Sequence, residues 1–132
     1  MIKYLSAYVW AGIAFLAVDS VWLTQVGPHL YRPTLDAILA EQVNLAAAGA
    51  FYAVYVLGMT LLVISRAGSV RSAGVNGALL GAVAYATYDL TNQATLRVWS
   101  TNISLADIGW GTFVTGVACI AGYLAWRTAG NR

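Results

Sequence analysis

The chain is poor in the residues from which most enzymes and metal sites are built. It has one histidine, one cysteine, two prolines and five carboxylates in 132 residues. The lone Cys119 excludes an internal disulfide and a CxxC redox or zinc motif, and reads as a small packing residue. The lone His29, beside Pro28 in a loop, has no second His or Cys to complete a transition-metal set, so no metal is expected and a paired-histidine haem site is excluded. No GxSxG, HExxH or phosphate-cradling glycine loop occurs. A formal net charge of +2, without a basic run, leaves no footprint for nucleic acid.

What fills the chain instead is apolar: 60% of residues are hydrophobic and 9% charged, with a mean hydropathy of +0.69. This is the balance of an integral membrane protein. Four apolar stretches, Lys3–Thr24, Leu45–Ser65, Ser72–Thr95 and Ala106–Trp126, are each long enough to cross about 30 Å of hydrocarbon as a helix. The alternating polarity of a barrel strand is absent, and backbone groups in lipid must be satisfied within the segment. The first stretch is read as retained, because it is long, carries Asp19 and Trp22 near its end and shows no small-residue cleavage site.

The expected fold is therefore all-α, one domain over residues 1–132. Four transmembrane helices run up-down-up-down as a bundle with short connections. A short amphipathic helix is expected in the first outer loop, where Pro28 and Pro33 end the first span and Leu35, Ile38 and Leu39 share a face over Thr34–Gln42.

Charge orients the bundle. Lys3, Arg66, Arg71, Arg127 and Arg132 fall on one side with no acid; Arg32, Arg97, Asp36 and Glu41 fall on the other. Basic residues accumulate on the cytoplasmic side, so both termini are expected inside, in a bacterial inner membrane. Tyr4, Tyr123 and Trp126 then lie near the inner interface, and Trp22, Trp99 and Trp110 near the outer one.

Three acids are left inside or at the mouth of spans. Asp19 and Asp89 lie roughly 7–9 Å below the outer boundary by helical rise, and ionisable residues at such positions are rare and serve function. Asp107 opens the fourth span, where an acid suits a helix start, so a structural role is favoured there over a site role. Tyr85, Asp89 and Asn92 follow i, i+4, i+7 spacing, with Tyr88 flanking them and Gly81 and Gly77 continuing the stripe inward. The fourth span presents Gly111, Thr115, Cys119 and Gly122 as a second small-residue face. Turning these faces inward, with Asp19 and Trp22 from the first span and Tyr52 and Tyr55 from the second, gathers a polar core of Asp19, Trp22, Tyr52, Tyr55, Tyr85, Tyr88, Asp89, Asn92, Asp107 and Trp110. The competing reading is structural: tyrosines, Thr91, Asn92 and Arg97 would merely satisfy the acids and lock register.

The stretch from Tyr85 to Leu96, followed by Trp99 and by Asp107-Ile-Gly-Trp-Gly-Thr112, resembles the small bacterial inner-membrane proteins grouped as domain of unknown function 2177. Ala17–Trp22, Tyr31-Arg32 and the Phe51-Tyr52 to Tyr55 stretch carry the same resemblance. It implies a four-helix membrane protein and brings no activity or cofactor. The residues point to an outward-opening pocket that binds or transports a cation or small polar ligand. The alternatives are an accessory subunit of a larger membrane complex and a lipid-modifying enzyme, although no nucleophile supports the latter. The expected partners are the lipid bilayer and either a homo-oligomer or a larger membrane complex.

Overall fold

Three of the four long helices start where a side-chain oxygen takes up a free backbone N–H; the first opens at Met1 without one. Asn44 Oδ1 accepts from Ala47 N at 3.0 Å, Ser69 and Ser72 form a reciprocal capping box, and Ser100 Oγ accepts from Ile103 N at 3.2 Å. In the computed structural model, which describes residues 1–130, these starts open α4 (Leu45–Gly58), α5 (Val70–Thr95) and α6 (Thr101–Gly130). They follow α1 (Ile2–Val21) and two single-turn helices, α2 (Gly27–Leu30) and α3 (Arg32–Leu35). No strand occurs among the described residues. Arg132, counted above toward the basic side, lies outside them.

Among the described residues, three helical stretches are long and apolar enough to cross a membrane: Ile2–Leu30, Leu45–Arg66 and Thr101–Gly130. The fourth long helix, α5, has 26 residues and length to spare, but its C-terminal half is polar. Much of that polarity is self-contained. Thr87, Thr91 and Thr95 each donate to the carbonyl four residues earlier, at 2.7, 2.5 and 2.8 Å.

Several boundaries differ from expectation. The first helix does not stop at Thr24. A π turn over Trp22–Val26 carries it into α2, with Gly27 N donating to Trp22 O, so Pro28 falls in a fresh first turn where its missing N–H costs nothing. The loop helix expected over Thr34–Gln42 begins earlier and ends earlier, as α3 and a 3-10 turn over Asp36–Ile38, and Leu39 is already extended. A second π turn, Met59–Val63, continues α4 to Arg66. The last helix starts at Thr101 rather than Ala106, because Ser100 caps it.

α5 and α6 pack backbone to backbone. A Cβ on Gly81 would lie 2.2 Å from Gly111 O, and one on Gly77 would lie 2.7 Å from Cys119 Cβ. Only hydrogen fits at these positions, and the gain is van der Waals contact along both helices. α6 is the central post: Gly111, Val114, Thr115, Ala118, Cys119 and Gly122 are all buried. Ala7, Ala11 and Phe15 of α1, and Val56, Met59, Val63 and Ile64 of the second long helix, pack into the same core. At the terminal end, Tyr4 meets Trp126 edge-on at 4.7 Å, and Lys3 Nζ lies 5.7 Å from that indole.

Replacing Gly81 with Ala should force α5 off α6 and cost about 1–3 kcal/mol, the range for overpacking. Gly49→Ala and Gly58→Ala, where an added Cβ meets nothing within 4 Å, should leave thermal unfolding in detergent unchanged or slightly raised. Equal melting temperatures for the three variants would refute the close-packing account.

Candidate functional site

The end of the molecule opposite the chain termini holds the polar side chains. Asp19 sits in the last turn of α1, three residues before the π turn, and is buried. Its two oxygens are each held: Trp110 Nε1 donates to Oδ1 at 3.0 Å and Tyr52 Oη to Oδ2 at 2.8 Å. On the far side, Tyr31 Oη donates to Asp107 Oδ1 at 2.5 Å, and itself accepts from Trp22 Nε1 at 3.0 Å. The Trp22 and Trp110 rings stack, 4.6 Å apart and within 12° of parallel. These contacts form one continuous chain from Asp107 through Tyr31, Trp22, Trp110 and Asp19 to Tyr52, tying α1, the segment after it, α4 and α6 together. The Tyr31 phenol is pushed above its ordinary value by burial and by its bond to Asp107, so it remains a neutral donor.

The chain of contacts borders a cavity of about 340 Å³. Its walls include Asp19, Trp22, Tyr52, Tyr55, Tyr85, Tyr88, Asp107 and Trp110, together with Tyr31, Leu23, Phe51 and Ala84, and no basic side chain lines it. Tyr55 is fixed by a 2.8 Å hydrogen bond to Thr115 Oγ1 and stacks on Phe51 at 5.3 Å. Tyr85 lies directly over Gly111, where a Cβ would fall 2.1 Å from its ring. No side-chain group of the protein hydrogen-bonds the Tyr85 hydroxyl among the described residues.

Eight of the ten residues expected from sequence line this cavity. Asp89 and Asn92 do not. Asp89 is completely buried behind the wall, and neither of its oxygens meets a donor. The Asp107 carboxyl is a close neighbour of Asp89. Two carboxylates are both acceptors, so this pair closes a hydrogen bond only with a proton on one of them. Asn92 is half-buried beside Tyr88. Asp107 is not a helix-start acid: it is the seventh residue of α6, buried, and reaches both the cavity and Asp89. His29 is exposed, and its Nδ1 donates to Gln25 O at 3.1 Å.

Tyr31 is the cavity residue that residue spacing missed. It stands in the connection between the two prolines, where no periodicity says which way a side chain points. Phe51 also borders the cavity, with about half of its surface exposed. A second cavity, of about 470 Å³, lies under the Gly27–Val43 segment and shares Leu23, Tyr31, Tyr88 and Asp107 with the first.

A family model described as predicted membrane protein (DUF2177) matches residues 4–124. The chain belongs to that family. The matched span takes in every residue of the site, from Asp19 to Trp110. No curated protein and no solved structure matches the chain.

Two outcomes test this geometry. Tyr31→Phe should leave Trp22 Nε1 without its acceptor and Asp107 without its donor, costing about 1–3 kcal/mol and speeding amide exchange over residues 27–38; unchanged exchange there would show that Tyr31 does not pin the segment. Asp89→Asn supplies an N–H donor to Asp107 in place of the shared proton. It should melt within a few degrees of the parent, while a carboxylic-acid C=O band in the infrared spectrum disappears. If the parent shows no such band that the substitution removes, the pair does not share a proton.

Proposed function

We propose that the protein is a polytopic membrane protein that holds a small cation or small polar ligand in this cavity. The observation carrying the proposal is the convergence of Asp19, Asp107 and, behind it, Asp89 on one aromatic chamber whose lining contains no Lys or Arg. Burying carboxyl groups is costly unless something uses them. Here the protein supplies only neutral donors from Tyr and Trp. The acidic, cation-free lining favours a positively charged guest.

In this reading all four long helices cross the membrane. α5 qualifies in spite of its composition, because it packs along α6 and keeps its threonine hydroxyls bonded to its own backbone. Both termini are cytoplasmic, as the basic residues Lys3, Arg66, Arg71 and Arg127 suggest, and the cavity opens toward the outside. Four helices are too few to enclose a complete path across the bilayer. Passage, as opposed to binding, would therefore require a second copy of the chain or a larger complex.

Orientation is tested with single cysteines in a Cys119→Ala background. Val98→Cys should react with a membrane-impermeant maleimide on intact cells, and Gly68→Cys only in inside-out vesicles; the reverse pattern would invert the topology. Ligand binding is tested on purified protein in nanodiscs, titrated with a panel of inorganic cations, amines and neutral polyols and followed by tryptophan fluorescence. At least one member should give a saturable response that Asp19→Asn and Asp107→Asn weaken. A panel with no saturable response would sink the proposal.

A further inference from the structure

The chemistry of the walls narrows the guest beyond a generic cation. A hard metal ion requires several oxygen ligands, at about 2.0–2.6 Å for Mg²⁺ and Ca²⁺. Both Asp19 oxygens are already committed to Trp110 and Tyr52, and Asp107 accepts from Tyr31. Among the described residues, no group of three or more His, Cys, Asp or Glu side chains is placed to hold an ion. What the cavity offers in quantity is aromatic surface from Trp22, Tyr52, Tyr85 and Trp110, with two carboxyls at its edge. Aromatic rings cannot replace the hydration shell of a small inorganic ion. They do attract a cation whose charge is spread over carbon substituents, because the ring face is negative and such an ion is easily dehydrated.

Neutral ligands are poorly served. Most polar atoms of the lining are bonded to one another, and an uncharged guest would leave the carboxylates uncompensated. An anion would meet Asp19 and Asp107 without a counter-charge in the lining. The cavity of about 340 Å³ lies at the small end of ligand sites, which run from about 300 to 1,000 Å³. That suits a guest of a few carbon atoms around one charge.

We infer that the ligand of this cavity is a small organic ammonium ion, either a protonated amine or a quaternary ammonium, held between the aromatic walls with Asp19 and Asp107 as its counter-charges. This rests on the ligand-binding reading above and specifies its chemical class.

The test uses full-length protein in nanodiscs and five probes: choline chloride, butylammonium chloride, the uncharged carbon analogue of choline (3,3-dimethylbutan-1-ol), potassium chloride and magnesium chloride. Binding is read by calorimetry and tryptophan fluorescence. Choline or butylammonium should bind saturably, at least about tenfold more tightly than the neutral alcohol, on the scale of cation–aromatic attraction in a desolvated site. Tyr85→Leu removes a ring whose hydroxyl bonds no side chain of the protein, and should weaken ammonium binding several-fold while the protein still elutes as a folded species. Because the comparison among probes is made on the parent protein, it stands even if that variant does not fold. Equal affinity for choline and its neutral analogue would overturn the inference. Saturable binding of potassium or magnesium without either ammonium probe would also overturn it, leaving the broader ligand-binding reading intact. No response to any probe would remove both.

Discussion

The rest of the molecule depends on how closely α5 and α6 approach. Where Gly77 and Gly81 meet Cys119 and Gly111, only a hydrogen separates one helix from the other's backbone. That spacing sets the rest of the pair: Tyr85 can lie flat over Gly111, Asp89 comes to face Asp107, and Gln93 Oε1 reaches Ser104 Oγ at 2.7 Å. In lipid there is no hydrophobic drive to hold helices together, so contact area and shared polar groups must do it. The same glycines thus provide both the cohesion of the pair and the alignment of its polar residues.

Around that pair, α1 and α4 contribute one wall each. Phe15 is completely buried and meets Tyr52 and Tyr55 edge-on at 5.9 and 5.4 Å, which fixes the height at which those rings enter the cavity. Asp19, one turn further along α1, is then in reach of both Tyr52 and Trp110. Asp19 and Asp107 are held by aromatic donors, which satisfy buried carboxyl oxygens without a basic partner.

Much of this could be read from residue order. Helical spacing placed Tyr85 and Asp89 on the helix side that meets α6, and the small residues Gly77, Gly81, Gly111 and Gly122 named the packing faces, because in a helix these properties follow from position alone. Composition identified a membrane chain, and the family match over residues 4–124 agrees. The failures fall where a local event changes the register. The π turn at Trp22–Val26 has no simple signature: the apolar run ends at Thr24 while the helix continues, and spacing gives Tyr31 no direction. Ser100 capped α6 a turn and a half before the apolar run began, which moved Asp107 from a helix start into the wall. The nearness of Asp89 to Asp107 depends on the helix order in space, which spacing within one helix does not contain.

Tyr31 lines both the cavity of about 340 Å³ and the neighbouring space of about 470 Å³, as do Leu23, Tyr88 and Asp107. The wall common to the two thus includes this one phenol. Its anchor is a single oxygen that gives one hydrogen bond and receives another. A rotation of that one ring would turn two chambers into a continuous gallery running from the aromatic cage to the apolar underside of the Gly27–Val43 segment.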